Sequence, residues 1–414
     1  MNRLQSTFAK TARLIRTFMV AVSIFLLVAC AVASADVPAK GAAVAMHKGR
    51  PAIFVDGQPI PFAAYSPPGR MPHALDNTKR FFQHDMTVYF INVPRGKPAE
   101  GSKEWNPSPF WDGNRIEPKY IRELTTPTMD EQAKFILKGN PNARFIIRFG
   151  PNEPWSWHEL HPDDLFRTET GEIIKCPSLA SEQYRKDSAK LIEAVIRFTE
   201  THDWSDRIIG YWTGHRVEGC DEPVIKGLML DHSPVRLERW RAFLKAKYEI
   251  DAALRQAWND PEVSLKTVTV PTDPLRGPLR EVSDSLFWQP ASKNQPLRDY
   301  YELTTQLYHE LYRAQAEAHH RATDRNRVFV IDALKQPMIG WENVSFFDPN
   351  KSRPLAYHGM QSGSGNVHAA ELLELDTFDG LITPHDYQAR GLGGVYLPEG
   401  IVQSTLMRGK IFIS

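Results

Sequence analysis

The sequence predicts an α/β protein built as a (β/α)8 (TIM) barrel with seven strands visible. Two observations carry this. Seven short apolar runs recur along the chain with helical patterns between them, the rhythm of βαβ units and a parallel sheet. The run through Ile208, Ile209, Tyr211 and Trp212 lacks a clean apolar/polar alternation, as suits a strand covered on both faces.

The runs are Pro61 to Tyr65, Met86 to Val93, Arg144 to Gly150, Ile208 to Thr213, Arg327 to Ala333, Phe378 to Thr383 and Lys410 to Ser414. Ahead of the first, Ala52 to Ile60 reads as a small hairpin turning at Asp56-Gly57, placed to plug a barrel floor. Thr128 and Glu131 form a capping box for a helix leading into the third strand. Leu179 to Thr201 carries Tyr184, Leu191, Ile192, Val195, Ile196 and Phe198 at helical spacing, and Asp299 to Ala322 is a third long helix. Residues 261–297, rich in proline and polar residues, read as an irregular rim loop within one domain. A seventh strand beginning at Lys410 leaves an eight-stranded barrel one strand short, with open sheet edges that soluble proteins avoid, so the barrel is expected to continue past Ser414.

The N-terminus predicts export. Arg3, Lys10, Arg13 and Arg16 precede an uncharged apolar run from Phe18 to Ala33, the order of a secretory signal. Ala33-Ser34-Ala35 offers a cleavage site, and Leu27-Val28-Ala29-Cys30 resembles a lipobox that would place a lipid on Cys30; both remain open. A retained span is the weaker alternative, because this run falls short of the ~20 residues a bilayer requires. The expected organisation is a signal peptide over residues 1–35, an N-terminal segment with the hairpin over 36–60, and the barrel over 61–414. Removing residues 1–35 deletes four basic residues and no acidic one, taking the formal charge from +1 to −3. Neither value suits a nucleic-acid partner.

Of the three cysteines, Cys176 and Cys220 are left beyond Cys30, too few for a thiolate zinc cluster. They are either a disulfide between neighbouring rim loops or two buried thiols.

No phosphate-binding glycine loop, H-E-x-x-H helix or G-x-S-x-G elbow occurs, which argues against nucleotide chemistry, common metalloproteases and serine hydrolases. Carboxylates among aromatics remain. Aromatic faces stack on the C–H surfaces of sugar rings while paired carboxylates break the glycosidic bond, so the expected partner is an oligo- or polysaccharide, with no cofactor. The fourth run enters Tyr211-Trp212-Thr213-Gly214-His215 and reaches Glu218. As strand residues, one of Tyr211 and Trp212 should face the barrel and the other the helices. The third run ends in Arg148-Phe149-Gly150-Pro151-Asn152-Glu153-Pro154-Trp155-Ser156-Trp157, a rival carboxylate between tryptophans that line a cleft. Arg148 either orients a nucleophile or pairs with a buried acid. His385 and Tyr387, after the sixth run, are candidates for sugar hydroxyls or loop structure.

Trp155-Ser156-Trp157 with His161-Pro162-Asp163, then Ser178-Leu179-Ala180-Ser181, then Arg207-Ile208-Ile209-Gly210-Tyr211 closing on Glu218, resemble the family 42 β-galactosidases and their relatives. Phe243 to Tyr248 with Leu254-Arg255-Gln256-Ala257-Trp258 is similar to that family's helix after the fourth strand, and Phe378 to Tyr387 with Arg390-Gly391 to its sixth strand and loop. The resemblance covers roughly residues 50–414 and lies in the order of the motifs. It implies a retaining glycosidase with the acid/base after strand four, which falls on Glu218, and the nucleophile after strand seven, just beyond Ser414. The 414-residue chain by itself is then expected to be inactive. Asn-Glu-Pro marks the acid/base of many barrel glycosidases after strand four, whereas Glu153 follows the third strand here, so it is assigned to binding or structure. The family has Asn before its acid/base; here Val217 stands there, and Asn152 or His215 would have to contact the sugar in its place. The family's Cys-rich zinc site and trimerising domain have no counterpart in this sequence. A non-catalytic glycan-binding barrel is the alternative.

Overall fold

The computed structural model describes residues 39–66, 74–82, 84, 86–93, 127–149, 160–214, 230–271, 291–332, 369–382 and 400–413. It opens with a three-stranded antiparallel sheet, β1 (Ala42–His47), β2 (Arg50–Val55) and β3 (Gln58–Pro59). The two connections are two-residue turns, Lys48-Gly49 and Asp56-Gly57, whose four residues all have positive φ, as in the type I′ turns that match strand twist. Asp56-Gly57 is the turn expected from the sequence. The alanine-rich β1 carries little strand propensity beyond Val44 and was not foreseen; pairing with β2 forms it.

All seven predicted strands are present: β4 (Ala64–Tyr65), β5 (Val88–Asn92), β6 (Arg144–Phe149), β9 (Ile208–Gly214), β10 (Val328–Asp332), β11 (Gly380–Ile382) and β12 (Ile411–Ile413). They pair in that order, every neighbour parallel, into one sheet. Their side chains sort into two apolar layers. Tyr89, Ile91, Phe145, Ile147, Tyr211, Phe329 and Leu381 pack outward against the helices. Val88, Phe90, Ile146, Trp212, Val328, Val330, Ile382 and Ile413 face inward and share a core with Ala42, Ile53 and Val55 of the hairpin. Ala42 donates its N–H to Asn326 O at 2.8 Å, just before β10 begins, so the hairpin closes the N-terminal floor. The sheet leaves no room at Gly380, where a Cβ would lie 2.3 Å from Ile411 Cγ1 and 2.6 Å from its carbonyl oxygen.

The helices are α1 (Ala74–Thr78), α2 (Met129–Gly139), α3 (Glu182–Thr199), α4 (Pro234–Tyr248), α5 (Asp251–Trp258), α6 (Ala291–Thr323), α7 (Ala369–Leu373) and α8 (Gly400–Met407). The Thr128–Glu131 capping box is complete at α2. Ser181 and Ser233 cap α3 and α4, each accepting an N–H three residues on. Helix α6 starts inside the stretch expected to be irregular and contains Pro296. Proline is tolerated there because the N–H it lacks would have bonded a carbonyl at the very start of the helix. Between β6 and α3, a short antiparallel pair, β7 (Leu165–Arg167) and β8 (Ile173–Pro177), was also unforeseen. Asp299 binds α6 to its neighbours: its buried carboxylate accepts from Lys247 Nζ at 2.9 Å and from Tyr248 Oη and Trp258 Nε1 at 2.8 Å. Among the described residues no helix is long and apolar enough to cross a membrane.

Candidate active site

In a parallel barrel the C-terminal ends of the strands carry the chemistry. Here those ends are marked by a change from apolar to polar on the inner face. Alternation continues Val88 and Phe90 into Asn92, Ile146 into Arg148, and Val328 and Val330 into Asp332. Register places Asn92, Arg148, Trp212 and Val330 side by side across β5, β6, β9 and β10, and Asp332 beside Gly214 and Ile382 one tier higher.

The centre of this tier is Trp212. Its ring carries the Arg148 guanidinium at 4.0 Å on one face and meets Phe90 edge-on at 5.4 Å. Only 6% of it is exposed, and its Nε1 has no hydrogen-bond acceptor among the described residues. A buried donor left unpaired costs ~1–3 kcal/mol. Arg148 Nη1 also lies 3.5 Å from Ser66 Oγ, at the end of the first strand. Tyr211 points the other way: its hydroxyl contacts Thr199 Oγ1 at 2.9 Å and donates to Glu200 Oε1 at 3.0 Å. Glu200 in turn pairs with Arg327 at 3.2 Å. Burial and the Glu200 charge push the Tyr211 phenol well above its ordinary range, so it is a locked outer-layer donor.

Gln132 fixes the second strand's end, donating Nε2 to Asn92 O at 2.8 Å and accepting from Asn92 N at 3.0 Å. Tyr312 Oη donates to Asp332 O at 3.1 Å and does the same for the fifth. A second polar centre ties the segments that return from the third and fourth strand ends. Asp231 accepts from Ser178 Oγ at 2.5 Å, Ser233 N at 2.9 Å and Arg167 N at 3.3 Å, while its own N–H donates to Tyr300 Oη at 2.8 Å.

Of the residues expected at the site, Trp212 is within the described residues and faces the barrel. Asn152, Glu153, Trp155, Trp157, His215, Glu218, His385, Tyr387 and Cys220 lie outside them, as do Cys30 and the whole N-terminal signal. Cys176 is buried in β8, its Sγ donating to Pro177 O at 3.6 Å. Among the described residues no His, Cys, Asp and Glu cluster could hold a metal ion. Asn92 and Asp332 were missed by sequence reasoning. The signal was available: each is the polar residue that closes an otherwise apolar strand.

The strand order settles one sequence-level question. β9 is the fourth strand of the sheet and β6 the third, so Glu218 follows the fourth strand's last residue, Gly214, and Glu153 follows the third's, Phe149, each by four positions.

No protein-family model matches the sequence, and no curated protein matches it. Among solved structures, the chain is similar to the catalytic domain of a β-amylase from Paenibacillus polymyxa, with a TM-score of 0.53 and 12% identity over 82% of this chain and 80% of that one. The fold is a partial (β/α)8 barrel. β-Galactosidases from the psychrophilic Marinomonas ef1 and from Bacillus circulans sp. alkalophilus also match, each with a TM-score of 0.42 and 14% identity over 65% of this chain. The chain spans 36% of the length of each of these two.

Proposed function

We propose that the protein is an exported retaining glycoside hydrolase acting on β-galactosides or related β-linked glycans, with Glu218 as general acid/base. The observation that carries this reading is the position of Glu218 four residues past the fourth parallel strand, where the resemblance to family 42 β-galactosidases implies the acid/base. In this mechanism Glu218 protonates the leaving oxygen while a carboxylate ~5–5.5 Å away attacks the anomeric carbon; Glu218 then activates water to release the sugar. The attacking carboxylate follows the seventh strand, β12, past Ser414. Asn152, Glu153, Trp155, Trp157, His215, His385 and Tyr387 are the proposed sugar contacts from the loops after strands three, four and six. Export through the N-terminal signal, with or without a lipid on Cys30, is part of the same proposal.

The test compares Glu218→Gln with Glu153→Gln in a gene product that extends past the seventh strand. Glu218→Gln is expected to lower kcat/KM at least ~1,000-fold on substrates with poor leaving groups and far less on those with activated ones, because only the former need a proton in the transition state. Full activity of Glu218→Gln on poor leaving groups overturns the assignment. A wild-type protein that binds glycans and cleaves none would make it a glycan-binding barrel.

A further inference from the structure

The inner face at the end of the fourth strand finishes on a glycine with polar groups on the strands beside it. Above Trp212 on β9 the next inward position is Gly214, which has no side chain. It is flanked on β10 by Asp332, its partner in register, and on β6, one tier below, by Arg148. At the tier of Gly214 and Asp332, the sixth and seventh strands offer Ile382 and Ile413. On these four strands Asp332 supplies the one carboxylate of this tier.

Trp212 is the second element. One face of its ring is taken by the Arg148 guanidinium and the residue is only 6% exposed, so it is not a free platform for stacking on a sugar. What it has to offer is the indole N–H, buried and without an acceptor among the described residues. By strand spacing the Cα atoms of Trp212 and Asp332 lie about 8 Å apart on the same face. Between them stands Gly214, which places no side chain on that face.

We propose that Trp212 and Asp332 bind adjacent hydroxyls of the sugar over Gly214: the Trp212 Nε1–H donates to one hydroxyl oxygen, and the Asp332 carboxylate accepts from the neighbouring hydroxyl. This rests on the glycosidase reading and names two residues that set its sugar specificity. Trp212 thus contributes as a directed donor, and Arg148 holds the indole in the orientation that aims it. A site built to hydrogen-bond a substrate hydroxyl discriminates sharply against the analogue that lacks it, because its own polar groups are then left unpaired.

In a gene product that extends past the seventh strand, the experiment measures kcat/KM for the wild type, Trp212→Phe and Asp332→Asn on a 4-nitrophenyl β-galactoside and on its 2-, 3-, 4- and 6-deoxy analogues. Phenylalanine keeps a ring under Arg148 and removes the N–H; thermal midpoints recorded for each variant separate loss of packing from loss of recognition. On the parent substrate each variant is expected to lose about 10- to 100-fold. Each loss should vanish on one deoxy analogue, a different one for each variant and adjacent on the ring. Equal losses on every analogue, or no loss on the parent, overturn the proposal while leaving the glycosidase reading in place. A wild type that cleaves neither this galactoside nor other β-glycosides overturns both.

Discussion

Ser178 donates its hydroxyl to Asp231 at 2.5 Å across 53 residues of sequence. Ser178 ends the segment that returns from the third strand, and Asp231 ends the one that returns from the fourth. One carboxylate, 1% exposed, therefore anchors the far ends of both segments that carry the proposed catalytic and binding residues. Replacing Asp231 by alanine strands the Ser178 hydroxyl and the Arg167 and Ser233 N–H groups.

Asp231→Ala should accordingly cost about 2–4 kcal/mol in urea-induced unfolding. Hydrogen exchange should accelerate in residues 160–181 and 230–236 before the sheet strands respond. Asp231→Asn retains an acceptor for the two N–H groups and should recover more than half of the loss. An Asp231→Ala protein as stable as the wild type would show that the network is incidental.

The Arg148–Trp212 stack is a second point of strain on substitution. Lysine keeps the charge at position 148 but lacks the planar face that lies on the indole. Arg148→Lys is expected to destabilise nearly as much as Arg148→Ala, both by about 1–2 kcal/mol, since the indole it covers is buried. The measurement is thermal unfolding of both variants in the wild-type and Trp212→Phe backgrounds. Full rescue by lysine would mean that charge, not stacking, fixes the residue.

Acid sensitivity should arise behind the sheet. His319 on α6 stacks on Phe329 at 4.7 Å and meets Tyr211 edge-on at 5.7 Å, with neither ring nitrogen hydrogen-bonded among the described residues. Burial, with His320 and Arg327 adding like charge, pushes its pKa well below the ordinary 6.5. The folded state therefore holds it neutral while the unfolded chain protonates it below pH 6.5. Its contribution to stability is complete above that pH and falls by up to about 1.4 kcal/mol per unit as the pH drops, until the folded-state pKa is reached. His319→Phe should flatten the stability profile between pH 7 and 5; an unchanged slope would refute the role. His232, also lowered by burial, adds a smaller effect of the same sign that the variant leaves intact.

The sequence by itself determined the seven strands, the Asp56-Gly57 turn and the Thr128 capping box. Those features depend on interactions a few residues long, which leave their periodicity and turn chemistry in the chain. It also showed that one of Tyr211 and Trp212 must face the barrel, because strand side chains alternate. Which one does so was decided by tertiary structure. Phe145 pairs with Ile208 but Ile146 pairs with Gly210, so a bulge at Ile209 shifts the phase of β9 against β6. That single extra residue sends Trp212 inward to Arg148 and Tyr211 outward to Thr199 and Glu200. The Asp231 anchor and the aromatic enclosure of His319 were equally illegible, since their partners lie tens to more than a hundred residues apart. Pairing at that range is set by how the sheet and helices close on one another, and no local pattern records it.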